Sequence, residues 1–245
     1  MTVDLRRAGE RFWTRAGWLD SKHSFSFGHH YDPTNTHFGL LLVSNDDVVA
    51  PGTGFETHPH RDMEIVTWVL DGQLVHQDSE GHSGVLYPGL AQRMTAGTGI
   101  LHSEKNDAWR LVPDASTDEP VHFVQMWVVP DQQRLTPGYE QLDINDSLAR
   151  GGLVPVASGR GHEAAITIKQ KDAALFAGRL APAESVALTS APYLHLYVAR
   201  GDVSLEGAGT LATGDAARIT AAEGQKVTAG SSGAEILVWE MHSSL

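Results

Sequence analysis

Residues 57–77 read THPHRDMEIVTWVLDGQLVHQ, and this stretch decides the fold. Glu64–Leu70 is rich in β-branched and aromatic residues and Gln73–Gln77 continues the pattern, so both are predicted strands. Asp71-Gly72 between them predicts a tight hairpin. Further strands are expected at 38–44, 84–87, 91–95, 121–129, 163–169, 193–199, 202–205 and 234–239. Convincing helical periodicity is nearly absent, so the sequence predicts an all-β fold.

Two pairs of metal-ligating residues stand at the spacing of alternate residues in a strand: His58 with His60, and His102 with Glu104. Because side chains of a strand alternate between its two faces, the members of each pair point the same way. A lone His-x-His pair is usually a solvated surface feature, but the second pair favours a metal site. Three imidazoles and one carboxylate suit divalent iron, manganese, cobalt, nickel, copper or zinc, and leave two positions of an octahedral ion open. That arrangement indicates a catalytic metal rather than a structural one.

Composition narrows the class of protein. The chain has 245 residues and no cysteine, which excludes disulfides, zinc thiolate sites and cysteine nucleophiles. Thirty acidic residues stand against 18 basic ones, a formal net charge of -12, so binding to nucleic acid is disfavoured. No stretch has the length and apolarity of a signal peptide or a membrane span. We therefore expect a cytoplasmic protein without nucleic-acid or membrane partners.

The chain divides into two β units. Residues 1–135 are predicted to form an N-terminal unit with the metal site, 136–160 a connector rich in turn residues, and 161–245 a C-terminal unit without metal ligands. Arg200-Gly201-Asp202 sits between two predicted strands as Asp71-Gly72-Gln73 does, which suggests a diverged repeat. Superposing the two glycines places Ala187 over His58, Thr189 over His60 and Tyr193 over Glu64, so only the first unit retains ligands.

The whole chain resembles the pirin family of two-domain bicupins, and in particular its bacterial members with quercetin 2,3-dioxygenase activity. The segments that carry the resemblance are Arg11-Phe12, Trp18-Leu19-Asp20, His23-Ser24-Phe25-Ser26-Phe27-Gly28, Tyr31-Asp32-Pro33, Gly54-Phe55, His58 to Glu64 and Met94 to Glu104. The resemblance implies a cupin barrel, a double-stranded β-helix, in each half. It also implies one metal, usually Fe(II), in the first barrel.

The resemblance assigns the metal ligands to His58, His60, His102 and Glu104. Cupins in general use the glutamate that follows the histidine pair, here Glu64, whereas pirins use the one at Glu104. Glu64 is accordingly expected beside the ligands, and it remains the alternative ligand because an unbroken strand would place it on the face of His60.

The function implied is a metal-dependent dioxygenase that opens the heterocyclic ring of a flavonol such as quercetin and releases carbon monoxide. Glu104 is the candidate catalytic base, since a carboxylate at the metal can accept the substrate proton. The partners are then a small flavonol-like aromatic and dioxygen, and we expect a monomer. The alternative is a regulatory bicupin that binds a protein partner and responds to the metal or its redox state.

Several other residues are candidates for a role near the metal. Phe55, Trp68, Met94 and Trp127 could line a pocket in the first barrel, although core packing is the usual role of such residues. Arg61 and Asp62 could orient His60 or bind an anionic substrate. His122, an isolated histidine on a long apolar strand, is a candidate to line the pocket. The aromatic residues between Phe12 and Phe27 are expected to pack across the two barrels or to form an exposed patch.

Overall fold

The computed structural model describes residues 1–245 and contains twenty strands, one short α-helix and two 3-10 turns at Ala8–Glu10 and Ala108–Arg110. The strands are β1 Thr2–Arg6, β2 Phe12–Ala16, β3 Leu19–His23, β4 Leu41–Val49, β5 Gly54–His60, β6 Glu64–Asp71, β7 Leu74–Asp78, β8 Ser83–Leu86, β9 Leu90–Thr95, β10 Ile100–Lys105, β11 Val121–Val128, β12 Gly138–Asp143, β13 Val154–Ser158, β14 Ile166–Thr167, β15 Ala173–Leu180, β16 Ser185–Ala187, β17 Ser190–Leu205, β18 Gly209–Ala212, β19 Ala216–Glu223 and β20 Lys226–Met241. The helix α1 is Asn145–Leu148. The all-β prediction is confirmed. No helix has the length and apolar character needed to cross a membrane.

The first half of the chain forms two sheets. The larger has seven strands in the order β12-β9-β6-β11-β4-β3-β2, and the smaller has four in the order β5-β10-β7-β8. The second half contributes eight strands, β13 to β20, to a nine-stranded sheet whose ninth strand is β1. In this sheet β17 and β20 are each 16 residues long.

The expected hairpin at Asp71-Gly72 is wrong. β6 pairs with β9 and β11, whereas β7 pairs with β8 and β10, so the chain passes here from one sheet to the other. Gly72 has φ +75°, and a Cβ at this position would lie 2.9 Å from the carbonyl oxygen of Pro120. A glycine is needed because the corner of the barrel is both left-handed and crowded. The Asp-Gly signal marked a change of direction but not its geometry.

The two halves repeat the same pairing scheme. In the first half, β7 pairs with β10 and β6 pairs with β11. In the second half, the C-terminal end of β17 pairs with the N-terminal end of β20, and the N-terminal end of β17 pairs with the C-terminal end of β20. Glu104 pairs with the fourth residue after Gly72, and Val227 pairs with the fourth residue after Gly201. Val227 therefore occupies the place of Glu104 in the second half, and an apolar side chain there cannot ligate a metal.

Strand pairing departs from the predicted division of the chain in two ways. β1, at the N-terminus, pairs with β19 and so belongs to the sheet of the second half. The predicted connector 136–160 is largely structured, because β12 extends the seven-stranded sheet while β13 pairs with β15. The two halves are thus joined by the pairing of β1 with β19 as well as by packing.

A shared core fixes the halves against each other. One cluster of 25 buried residues contains side chains of both, including Trp68 and Trp239. The Trp68 indole donates a 2.8 Å hydrogen bond to the buried carboxylate of Glu235 across the junction. Phe25 lies in the same cluster and contacts the ring of His195, as expected of the N-terminal aromatic residues. The others do not cross the junction in this way: Trp13 is 44% exposed, Trp18 packs against Phe55 and Phe27 against Trp127.

Candidate metal centre

Antiparallel pairing of β5 with β10 brings the two predicted ligand pairs together. His102 lies opposite His58 and Ile100 opposite His60, with a register shift between His102 and Glu104. One ligand atom from each of His58, His60 and His102 lies within 4.8 Å of the others. A second group at the same distance limit joins His102 and Glu104 to His76.

Each of the three clustered histidines has a ring nitrogen free for a ligand. His58 Nδ1 lies 2.7 Å from the carbonyl oxygen of Glu56 and must donate its proton there, which leaves the Nε2 lone pair free. The Nε2 atoms of His60 and His102 are buried and have no hydrogen-bond partner. Buried polar atoms are normally paired, so these two nitrogens indicate an absent partner, and a divalent cation fits all three.

His76, on β7, lies between His102 and the carboxylate of Asp78. His76 Nε2 lies 3.3 Å from the Asp78 carboxylate, and His76 Nδ1 lies 3.4 Å from His102 Nδ1. If His76 donates to Asp78, its Nδ1 accepts a hydrogen bond from the Nδ1–H of His102. The lone pair of His102 then resides on Nε2, which faces the other two histidines, so a carboxylate fixes the tautomer through an intervening imidazole.

Glu104 is 2% exposed and held by one amide. Gln125 Nε2 donates to both carboxylate oxygens, at 2.9 and 2.7 Å. Gln125 Oε1 accepts the indole N–H of Trp127 at 2.9 Å, and because that indole can only donate, the amide orientation is fixed. The Thr67 hydroxyl adds a longer bond of 3.4 Å to the carboxylate.

Burial keeps two of the histidines neutral. Desolvation is the largest cause of a lowered pKa for both, to about 4 for His60 and about 3 for His102. The neighbouring histidines lower both values further. A metal ligand must be deprotonated, so both rings are ready to bind a cation at neutral pH.

Glu64, the alternative ligand, does not reach the cluster. It is fully buried, and its carboxylate accepts the backbone N–H of Lys169 at 2.9 Å and lies 3.9 Å from Arg93. Desolvation raises its pKa. These contacts tie the first half to the second, so the structure gives Glu64 a role in joining the halves.

A pocket of about 300 Å³ opens beside the histidines. His58, His60 and Glu104 lie on one side of it, and Phe27, Phe55 and Trp127 supply apolar walls. Trp127 stands edge-on to His60, with ring centroids 4.8 Å apart. The volume lies at the lower end of the range for small-molecule sites, so a compact aromatic ligand fits.

The seven-stranded sheet gives the pocket a polar wall. Ser21, Asn45 and Asp47 lie there, all buried. Desolvation raises the pKa of Asp47 to about 7, and the Ser21 hydroxyl bonds to its carboxylate. Asp47 can therefore offer either a proton or a lone pair to a hydroxyl group in the pocket near neutral pH.

The other predicted candidates take different places. Trp68 and Met94 are core residues, whereas Phe55 and Trp127 line the pocket. Arg61 pairs with Asp62, which also accepts the backbone N–H of Arg134, and neither side chain forms a hydrogen bond with His60. His122 bonds to Asp46 at 2.7 Å and does not line the pocket.

Three residues near the site were not predicted as part of it: His76, Asp47 and Gln125. His76 is opposite Glu104 in the β7–β10 pair, and Gln125 is on β11, so both depend on pairings between distant strands. Alternation along Val121–Val128 could have shown that Gln125 shares a face with Trp127 and Phe123. It could not have shown which strand lies opposite.

Comparison with known proteins gives two family matches. The family described as Pirin matches residues 5–128, and the family described as Quercetinase C-terminal cupin domain matches residues 155–241. A Mycobacterium tuberculosis protein named "Putative quercetin 2,3-dioxygenase" is 58% identical over 245 residues, covering 100% of this chain and 97% of that protein. The Escherichia coli protein named quercetin 2,3-dioxygenase is 48% identical over 139 residues, 57% of each chain.

Solved structures agree with these matches. The bacterial pirin YhhW of E. coli in complex with nickel(II) superposes with a TM-score of 0.86 and 35% identity over the full length of both chains. A quercetin 2,3-dioxygenase of Acinetobacter baumannii gives a TM-score of 0.73 at 22% identity, covering 98% of this chain and 86% of that one. At that identity the likeness shows the fold alone. The predicted pair of cupin barrels is confirmed.

Proposed function

Since the chain belongs to the pirin family, we propose that it is a metal-dependent dioxygenase that opens the heterocyclic ring of a flavonol such as quercetin and releases carbon monoxide. One observation carries the proposal: three imidazoles with free nitrogens lie beside a pocket that has apolar walls and a few polar groups, all in one barrel. The names of the E. coli and mycobacterial relatives support the choice of substrate.

His58, His60, His102 and Glu104 would hold the metal, which we propose to be Fe(II). The nitrogen and oxygen donors also suit manganese, nickel, cobalt, copper and zinc, and the nickel complex of the E. coli pirin supports a divalent ion. The metal when bound would act as a Lewis acid and lower the pKa of a flavonol hydroxyl.

Glu104 is the proposed base. Its carboxylate lies at the wall of the pocket, where it can accept the proton of the 3-hydroxyl group of a flavonol. Gln125 holds both oxygens of that carboxylate, so its orientation does not have to be set during the reaction. Both contacts are in place before substrate enters.

The rest of the pocket would bind the substrate rings. Phe27, Phe55 and Trp127 exclude water and present faces and edges to an aromatic ligand. Asn45 and Asp47 can hydrogen-bond to the outlying hydroxyl groups of a polyhydroxylated ring. A pocket with apolar walls and a few convergent polar groups suits a flavonol better than an aliphatic acid.

Quercetin consumption by the Fe(II)-loaded protein, measured under oxygen by the loss of flavonol absorbance, tests the proposal. Wild type should turn over, and His58→Ala should lose both metal and activity. His122→Ala is the matched control, because its imidazole is bonded to Asp46 outside the pocket. A wild-type protein that holds its metal but leaves quercetin unchanged would refute the proposal and favour the regulatory alternative.

A further inference from the structure

A second cavity lies between the two halves of the molecule, and none of the three clustered histidines lines it. It encloses about 170 Å³, which is too small for a flavonol but sufficient for a small ion. Residues of β3 line one side and residues of β17 and β19 line the other. Four arginines face it, although the protein as a whole has a net charge of -12.

The four arginines differ in what balances their charge. Three have a carboxylate partner, the pairs being Arg6–Asp4, Arg7–Asp215 and Arg11–Asp46. The fourth, Arg218, is 5% exposed and forms no ion pair. Its Nη2 donates only to neutral oxygens, those of the Ser24 carbonyl and the Asn35 side chain, at 3.0 and 2.8 Å. A buried cation without a counter-charge is costly, so an anion is expected beside it.

Unpaired polar atoms in the same cavity support this expectation. The Nε atoms of Arg11 and Arg218, the Ser24 hydroxyl and His195 Nε2 are all buried without a hydrogen-bond partner. All four residues line the cavity. Such atoms are rare in folded proteins, and four around one cavity indicate a ligand that accepts several hydrogen bonds.

Two carboxylates, those of Glu10 and Asp32, also line the cavity, and both already accept hydrogen bonds from the protein. The Glu10 carboxylate accepts the backbone N–H of Arg7, and the Asp32 carboxylate accepts the backbone N–H and hydroxyl of Thr34. Neither forms an ion pair with Arg218. Arg6 and Arg7 are exposed and would attract an anion toward the buried side chains of Arg11 and Arg218.

We propose that this cavity binds a small oxyanion, a phosphate or carboxylate group, held by Arg218 and Arg11 with the Ser24 hydroxyl. An arginine fork and a hydroxyl match the oxygen geometry of these groups. His23 lines both this cavity and the pocket beside the metal centre, so an anion here would border the proposed substrate site.

Isothermal titration calorimetry of the full chain with inorganic phosphate and with acetate, at constant ionic strength set by chloride, tests this site. Saturable binding of either ion to wild type is expected. Binding of phosphate alone assigns the site to phosphate groups, and binding of acetate alone assigns it to carboxylates. Absence of saturable binding by both would overturn the proposal.

Variants locate the binding. Arg218→Gln should weaken binding by about 10- to 100-fold through loss of charge-assisted hydrogen bonds. Arg150→Gln, which replaces an exposed arginine outside the cavity, should bind as wild type does. Ser24→Ala removes a hydroxyl that has no protein partner, so it should fold normally and bind several-fold more weakly. If Arg218→Gln fails to fold, Ser24→Ala decides alone, and unchanged affinity in the variants that fold would overturn the proposal.

Discussion

Replacing Gln125 with leucine should weaken metal binding without touching a proposed ligand. The Gln125 amide is the principal hydrogen-bond donor to the buried carboxylate of Glu104, with contacts of 2.9 and 2.7 Å. Leucine is of similar size but cannot donate. Only the 3.4 Å contact from Thr67 would remain, so the carboxylate would lose both its orientation and most of its stabilisation.

The magnitude follows from the type of bond that is lost. A hydrogen bond to a charged group contributes about 1.5–3 kcal/mol, so the free energy of unfolding of the metal-free protein should fall by about that amount. Mutation of a residue that orients a metal ligand typically lowers metal affinity by about 10- to 100-fold, so we expect the dissociation constant of the metal to rise by a factor in this range.

Two measurements check this prediction: urea denaturation of the metal-free protein, and competition with a metal chelator. Gln77→Leu is the matched control, because Gln77 is exposed on β7. It should leave the metal affinity unchanged. A folded Gln125→Leu protein whose metal affinity stays within twofold of wild type would refute the proposed role of the amide.

Three further predictions concern the surroundings of the metal centre. His76→Phe removes the acceptor that fixes the His102 tautomer and should lower metal affinity by about 10- to 100-fold in the chelator assay; unchanged affinity would contradict the relay. Burial raises the pKa of Asp47 in the folded protein to about 7, against an ordinary value of 3.8. Between these two pH values the folded protein keeps a proton that the unfolded chain has released. The free energy of unfolding of wild type therefore falls as pH rises from 3.8 to 7. Asp47→Asn should therefore gain up to about 1.4 kcal/mol relative to wild type for each pH unit from 3.8 to 7, with no further gain above, and a pH-independent difference in denaturation would argue against the buried acid. A Cβ at Gly54 would lie 2.3 Å from the Glu104 carbonyl oxygen of β10, so Gly54→Ala should separate β5 from β10 and weaken metal binding. Gly17→Ala is the control, because Gly17 has open space around it, and it should leave metal binding unchanged. Equal metal affinities of the two variants would contradict the strand geometry.

The sequence predicted the fold well where side-chain alternation and family motifs agree. The strands at 64–70, 73–77, 84–87, 91–95 and 121–129 appear within a few residues of their expected ends. The His58–His60 and His102–Glu104 spacings predicted strands, and β5 and β10 are present. Their assignment as ligands remains a prediction that the geometry supports.

What the sequence could not show depends on pairing between strands far apart in the chain. The Asp71-Gly72 signal was wrong because a corner between sheets and a hairpin need the same left-handed glycine. Alternation placed Glu64 near His60, but the chain turns at Asp62, which has φ 48°, and so β6 begins a new direction. No local sequence signal indicates that β1 pairs with β19 in the nine-stranded sheet.

Carbon monoxide released per quercetin consumed, measured by gas analysis of an Fe(II)-loaded sample sealed under oxygen, tests the proposed reaction most directly. One equivalent of carbon monoxide for each quercetin is expected from wild type, and none from His58→Ala. Quercetin loss without carbon monoxide, or equal release from the variant, would contradict a ring-opening dioxygenase at this metal centre.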